Sequence, residues 1–153
     1  LTTIAVDQLQ SMQGTKLGIS PWIQLSQLMV NQFADITNDH QFIHIDPERA
    51  ATETPFGGTI AHGFLTLSQL TQMAESTLPV IKDVRMSINY GFDRIRFITP
   101  VRSGARVRAH FTLELAEERT AGEWTLHHDI TVEIEHNERP ALSAIWITRQ
   151  YTG

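Results

Sequence analysis

Asp39 and His44 stand five residues apart in the stretch Phe33-Ala34-Asp35-Ile36-Thr37-Asn38-Asp39-His40-Gln41-Phe42-Ile43-His44-Ile45-Asp46-Pro47. Apolar Phe42 and Ile43 among these ionisable groups mean that the loop buries part of itself. A histidine buried beside a carboxylate acquires a defined tautomer and a usable pKa. An aspartate and a histidine sharing one water could deprotonate it and return the proton, which is general acid–base chemistry. Spacing alone leaves open the plainer reading, in which Asp39 is a turn or cap residue and His44 a packing histidine. The second feature is Gly57-Gly58-Thr59-Ile60-Ala61-His62-Gly63-Phe64-Leu65-Thr66. Glycine in the first turn of an apolar helix costs ~1 kcal/mol relative to alanine, so something compensates for Gly63. Its N–H could donate to a developing oxyanion or a thioester carbonyl. Close packing of helix on sheet would favour glycine equally.

Other chemistries find less support. The chain has no cysteine, which removes thiol nucleophiles, disulfides and Cys-ligated zinc together. His40, His44 and His62 with Asp39 or Asp46 could be imagined around a metal. The spacing His40-x-x-x-His44 suits zinc on a helix, but Asn38 and Pro47 mark a loop and no HExxH is present, so no metal is expected. His127 and His128 fall on opposite faces of a strand and cannot readily share a ligand. Neither a phosphate-cradling GxxxxGK[ST], a dinucleotide GxGxxG nor a GxSxG elbow occurs. Seven of the 12 basic residues (Lys82, Arg85, Arg94, Arg96, Arg102, Arg106 and Arg108) cluster within 82–108. They would either attract phosphates or form a solvated strand face.

The elements that must hold these groups follow from periodicity. Val107, Ala109, Phe111, Leu113 and Leu115 alternate with polar residues, as do Trp124, Leu126, His128, Ile130, Val132 and Ile134. Such alternation predicts long antiparallel strands with one covered face. Thr120-Ala121-Gly122 and Asn137-Glu138-Arg139-Pro140 are turn candidates, with a strand through Ile145 and Ile147 after the second. Val84–Tyr90 and Arg94–Ile98 add two strands around Gly91, and five strand candidates in a row predict a meander. Ser26 caps a short helix carrying Leu28, Met29, Phe33 and Ala34. Asp46-Pro47-Glu48 starts another, ending by Thr54-Pro55. Thr59 caps the longest, over about 60–77, with Phe64, Leu67, Leu70 and Met73 recurring at helical steps. An α+β fold results: a hot dog, in which an antiparallel sheet wraps one long central helix. Open edges and an exposed face predict pairing of two copies.

With 153 residues, 41% hydrophobic and 19% charged, and no linker or repeat, residues 1–153 are read as one globular domain. Net charge −5 argues against nucleic acid as partner. No apolar run reaches the ~18 residues of a membrane span, and no basic-then-apolar leader pattern is seen. A cytoplasmic location is the expectation.

The string from Phe33-Ala34 through Asp39 to Ile43-His44-Ile45-Asp46-Pro47-Glu48-Arg49-Ala50, then Ile60-Ala61-His62-Gly63-Phe64-Leu65, resembles the MaoC-like hydratase/dehydratase family. Within it the string also resembles the (R)-specific enoyl-CoA hydratases. The segment 89–104 is also similar to that family's strand-turn-strand, and the resemblance spans roughly 15–148. It implies a hot-dog homodimer that needs no cofactor and adds water reversibly to trans-2-enoyl-CoA, giving the (R)-3-hydroxyacyl thioester. Fatty-acid breakdown or polyhydroxyalkanoate supply would be its setting. It implies Asp39 and His44 as the catalytic pair and Gly63 as the amide that polarises the thioester carbonyl. Gln41, Phe42, His62 and Phe64 would line or orient the site, and Arg94, Arg96 and Arg102 are candidates for the CoA phosphates. The family usually has Asn-Pro between the pair, where this chain has Gln41-Phe42. A hot-dog thioesterase, or a binding module for acyl thioesters, are the alternative readings.

Overall fold

The computed structural model describes residues 1–153. In chain order the elements are β1 (Thr3–Ile4), α1 (Gln8–Ser11), β2 (Lys16–Ile19), β3 (Ile23–Gln24), α2 (Gln27–Thr37), α3 (Phe42–Ile45) and α4 (Pro47–Glu53). There follow α5 (Gly63–Ser68), α6 (Leu70–Glu75), β4 (Val80–Ile81), β5 (Val84–Phe97), β6 (Arg106–Thr120), β7 (Glu123–Ile134) and β8 (Leu142–Thr152). The main sheet runs β2-β6-β7-β8-β5, with β3 also on β6, and β1 pairs with β4 apart from it. Its core face packs on α5 and α6 through Leu65, Leu70, Met73, Phe111, Ile130 and Val132. This is the hot-dog arrangement.

Several boundaries differ from the periodicity. The two strands expected around Gly91 are one, β5, whose pairing with β8 shifts register at Asn89/Gly91 and at Asp93/Arg96. Arg94 adopts φ +53°, so the second irregularity bends the strand without ending it. The meander holds only for β6-β7-β8, because β5 pairs with β8. The segment 98–105 crosses instead of turning: Ala61 N–H donates to the Val101 carbonyl and Ile60 pairs with Arg102. On β6 the alternation slips between Leu113 and Leu115. That irregularity turns Leu115 outward and brings Ala116 into the core in its place.

The central helix is shorter than expected and divided. Ile60 N–H bonds the Ile43 carbonyl and Ala61 N–H that of Val101, so both residues are tied to neighbouring segments before the helix begins at Gly63. Thr59 does not cap it; its hydroxyl donates to Gln27 Oε1 (2.6 Å), and His62 stands at the cap position. Gln69 N–H reaches back three residues to Thr66, a tighter step that separates α5 from α6.

Candidate active site

The loop between α2 and α4 is fixed at both ends by its own sequence. Ser26 Oγ accepts the Met29 N–H (3.3 Å) to start α2. Asn38 ends that helix in the left-handed region at φ 57°, a conformation that asparagine tolerates. Asp46 then accepts the Arg49 N–H (3.0 Å) and Pro47 opens α4. The segment between them, expected as a loop, contains one helical turn, α3, and that turn carries His44 inward.

His44 is buried and held on three sides. Its N–H donates to the Gln41 carbonyl (2.9 Å), and its own carbonyl accepts from Gln27 Nε2 (2.8 Å). Its ring Nδ1 lies 2.7 Å from the Ile60 carbonyl. A carbonyl only accepts, so Nδ1 carries the hydrogen and Nε2 the lone pair. Burial pushes the imidazole pKa down, against the hydrogen bond to Ile60, which raises it; His62 lowers it further and Asp39 raises it. Burial prevails, and the ring is a neutral base at neutral pH.

His62 stacks on His44 with centroids 3.8 Å apart, and packs on Phe33. Its Nε2–H donates to the Asp39 carbonyl (3.0 Å), which ties the main chain of Asp39 to the cap of α5. One side-chain ligand atom from each of Asp39, His44 and His62 lies within 4.8 Å of the other two. The histidines are buried, whereas the Asp39 side chain is exposed. The triad is close enough for a cation, but lone pairs lie in the ring planes, and two rings stacked at 24° direct theirs side by side, which disfavours joint ligation. His40 and Asp46 lie outside the triad: His40 pairs with Asp35 (2.8 Å) and Asp46 caps α4.

His44 opens onto a cavity of about 310 Å³ together with Gly63, Phe64, Thr66, Phe97 and Thr99. Gly63 is the first residue of α5, where a main-chain N–H has no acceptor inside the helix. A Cβ there would come within 2.9 Å of the Phe97 ring, so close packing also requires the glycine. Phe64, expected to line the site, does so, with its ring edge-on to Phe97. Phe42 does not line this cavity: it is half-buried beneath the Arg49 guanidinium, 4.2 Å from its ring centroid. Leu65 lies in the core. Gln41 acts through its main chain, its N–H reaching Asp39 Oδ1 at 3.4 Å.

The arginines divide. Arg102 follows cavity residue Val101, and its Nη1 donates to the Phe56 carbonyl (2.6 Å) against Gly57 and Gly58. Arg96 donates to the Ile95 carbonyl and adjoins Phe97, whose opposite pleat faces the cavity. Arg94 sits at the β5 irregularity. Arg106 and Arg108 pair with Glu135 and Glu133, which neutralises part of the basic cluster.

Gln27, Thr66, Phe97 and Thr99 were not singled out from the sequence. Gln27 joins α2 to the Thr59 hydroxyl and the His44 carbonyl. Its only sequence signal was a polar residue in the first turn of α2.

His44 and Gly63 line the cavity, whereas Asp39 is not among its lining residues and stands beside His44 and His62. Residues 8–134 match the family model described as MaoC like domain. The chain is 52% identical to "Nodulation protein N" of Rhizobium meliloti (strain 1021), over 94% of this chain and 89% of that protein. It is 44% identical to "3-hydroxyacyl-thioester dehydratase Z" of Mycobacterium tuberculosis (strain ATCC 25618 / H37Rv), over 95% of each. Among solved structures, the (R)-hydratase from A. caviae involved in PHA biosynthesis superimposes with TM-score 0.69 at 26% identity, covering 89% of this chain and 94% of that one. A protein from Archaeoglobus fulgidus titled monoamine oxidase regulatory protein shares the fold, with TM-score 0.79 at 22% identity over 100% of this chain and 97% of its own. The chain belongs to the MaoC-like dehydratase family and is a hydro-lyase.

Proposed function

We propose that the protein hydrates trans-2-enoyl-CoA reversibly to (R)-3-hydroxyacyl-CoA. The observation that carries this reading is the convergence of Asp39 and His44 beside the cavity that Gly63 walls. Two hydrogen bonds of ~2.8 Å from one water span a little under 5 Å, which suits the spacing of the pair. His44 Nε2, bearing the lone pair, takes a proton from that water as its oxygen bonds C3, while the Asp39 carboxylate orients the water and favours the imidazolium. Electron density moves onto the thioester oxygen, where the Gly63 N–H donates; loss of such a donor elsewhere costs ~2.7–4 kcal/mol. The imidazolium then returns its proton to C2, so one water is consumed and the base regenerated. Fixation of Asp39 by His62 supports its role as an orienting residue.

The names of the dehydratase and (R)-hydratase relatives support the reaction class and stereochemistry. Arg102 is the best placed of the three arginines for a CoA phosphate, being exposed beside the cavity wall. No carboxylate of the central helices flanks Gly63; Glu75 lines a separate cavity, which weighs against the thioesterase reading. β5 is an edge strand with exposed Met86, Ile88, Tyr90 and Phe97, and it supports a homodimer built on that edge. Sedimentation equilibrium is expected to give twice the monomer mass, and a monomer throughout would contradict the dimer. The test of activity is loss of enoyl absorbance with four- to twelve-carbon trans-2-enoyl-CoAs, with chiral analysis of the product. Release of free thiol without hydration would replace this reading by the thioesterase, and binding without turnover by the binding module.

A further inference from the structure

The wall that α5 gives to the cavity beside His44 carries one side-chain hydroxyl, that of Thr66. Thr66 is only 2% exposed, and Leu65, Leu70 and Met73 of the same helix pair are core residues. Valine has nearly the same shape and no hydroxyl to desolvate, so a threonine here calls for a partner. The protein supplies none. Other hydroxyls of these helices bond back four residues: Ser68 Oγ donates to the Phe64 carbonyl (2.6 Å) and Thr77 Oγ1 to that of Met73 (2.7 Å). The matching acceptor for Thr66 is the His62 carbonyl, which is already taken twice, by the N–H groups of Leu65 (3.0 Å) and of Thr66 itself (3.2 Å). A carbonyl oxygen has two lone pairs, so the Thr66 hydroxyl is left free. Thr99, the other threonine of this wall, differs: its hydroxyl is sealed inside the protein. Thr66 Oγ1 is not sealed in this way and faces the cavity, whose remaining lining side chains, His44 apart, are apolar.

Its place decides what it meets. Residues three apart share a helix face, and helical side chains lean towards the N-terminus, so Thr66 reaches back over the turn that begins at Gly63. Gly63 has no side chain to stand in the way. In the hydratase reading the thioester oxygen lies at the Gly63 N–H and gains negative charge as water adds. A charged oxygen is stabilised most by several fixed donors in a site that excludes water.

We infer that the Thr66 hydroxyl donates a second hydrogen bond to the thioester oxygen, beside the Gly63 N–H, and so stabilises the enolate that forms as water adds at C3. The inference rests on the hydratase reading and adds a side-chain donor to it.

The test compares turnover of crotonyl-CoA by wild type, Thr66→Val and Thr66→Ser, with circular dichroism confirming that each is folded. Thr66→Val keeps the shape and loses the donor, so kcat should fall about 100-fold while KM stays within about three-fold. Thr66→Ala also lacks the hydroxyl and should follow valine. Thr66→Ser keeps the donor and should retain kcat within about five-fold. A packing role reverses that order, because valine fills the site and serine leaves a gap. The second readout is the ¹³C resonance of carbonyl-labelled butyryl-CoA, a saturated thioester that cannot be hydrated. It should move downfield on binding wild type, by less in Thr66→Val, and by nearly the full amount in Thr66→Ser. Unchanged kcat in the folded valine and alanine variants, serine less active than valine, or the same carbonyl resonance in wild type and Thr66→Val would overturn the inference. An active wild type with an indifferent Thr66 removes this inference alone. A wild type that hydrates neither crotonyl-CoA nor its longer homologues removes the hydratase reading and this inference with it.

Discussion

The imidazole of His44 and the main chain around it set the chemistry. With Nδ1–H committed to the Ile60 carbonyl, only Nε2 can take a proton, and burial keeps it unprotonated at neutral pH. The sign for activity follows: the active form exists above a pKa held below the ordinary 6.5, so protonation removes activity only in more acid solution. The kcat/KM profile for an enoyl-CoA should fall on an acid limb centred below 6.5. An acid limb centred at or above 6.5 would contradict the assignment. Asp39 and His44 were legible as candidates because apolar Phe42 and Ile43 stand among the ionisable groups of their loop, and Gly63 because glycine in the first turn of an apolar helix is costly. The stacking of His62 on His44 was not legible, since it joins residues 18 apart in sequence through two segments whose approach no local pattern encodes.

The elements converge on one hinge of side-chain chemistry, Gln27. Its amide accepts from the Thr59 hydroxyl and donates to the His44 carbonyl and to Asn31 Oδ1, so it fastens α2, the α3 turn and the lead into α5 together. Gln27→Ala strands a part-buried carbonyl and hydroxyl, and should cost ~1–3 kcal/mol of stability. Denaturant titration measures that loss, and a change under 0.5 kcal/mol would show the bridge to be incidental. Caps at Ser26 and Asp46 were readable because capping is local chemistry. The start of the central helix was not, because its apolar period extends back to Ile60 while hydrogen bonds to Ile43 and Val101 claim those N–H groups. Leu115 misled for the same kind of reason: one extra residue in β6 inverts the pleat, and period-two reading has no sign of it.

At the scale of the molecule, the long strands and their alternation disclosed the hot dog, but strand order depended on a crossover that composition does not reveal. Global stability should carry the signature of His128. Its folded pKa of about 4 lies below the unfolded value near 6.5, so between those values the unfolded chain binds the extra proton. Stability is then complete above pH 6.5 and is lost as pH falls towards 4, by roughly 3 kcal/mol for that group. Thermal or denaturant unfolding across this window should show a steeper decline in the wild type than in His128→Phe. Parallel curves would exclude the histidine as the source.

The most direct measurement is turnover of crotonyl-CoA by the wild-type protein, Asp39→Asn and His44→Gln, with circular dichroism confirming that each is folded. Wild type should consume the enoyl thioester, and each variant should lose at least ~100-fold in kcat. A folded variant of either kind retaining near wild-type turnover would contradict the claim that this carboxylate and this imidazole together move the water's proton.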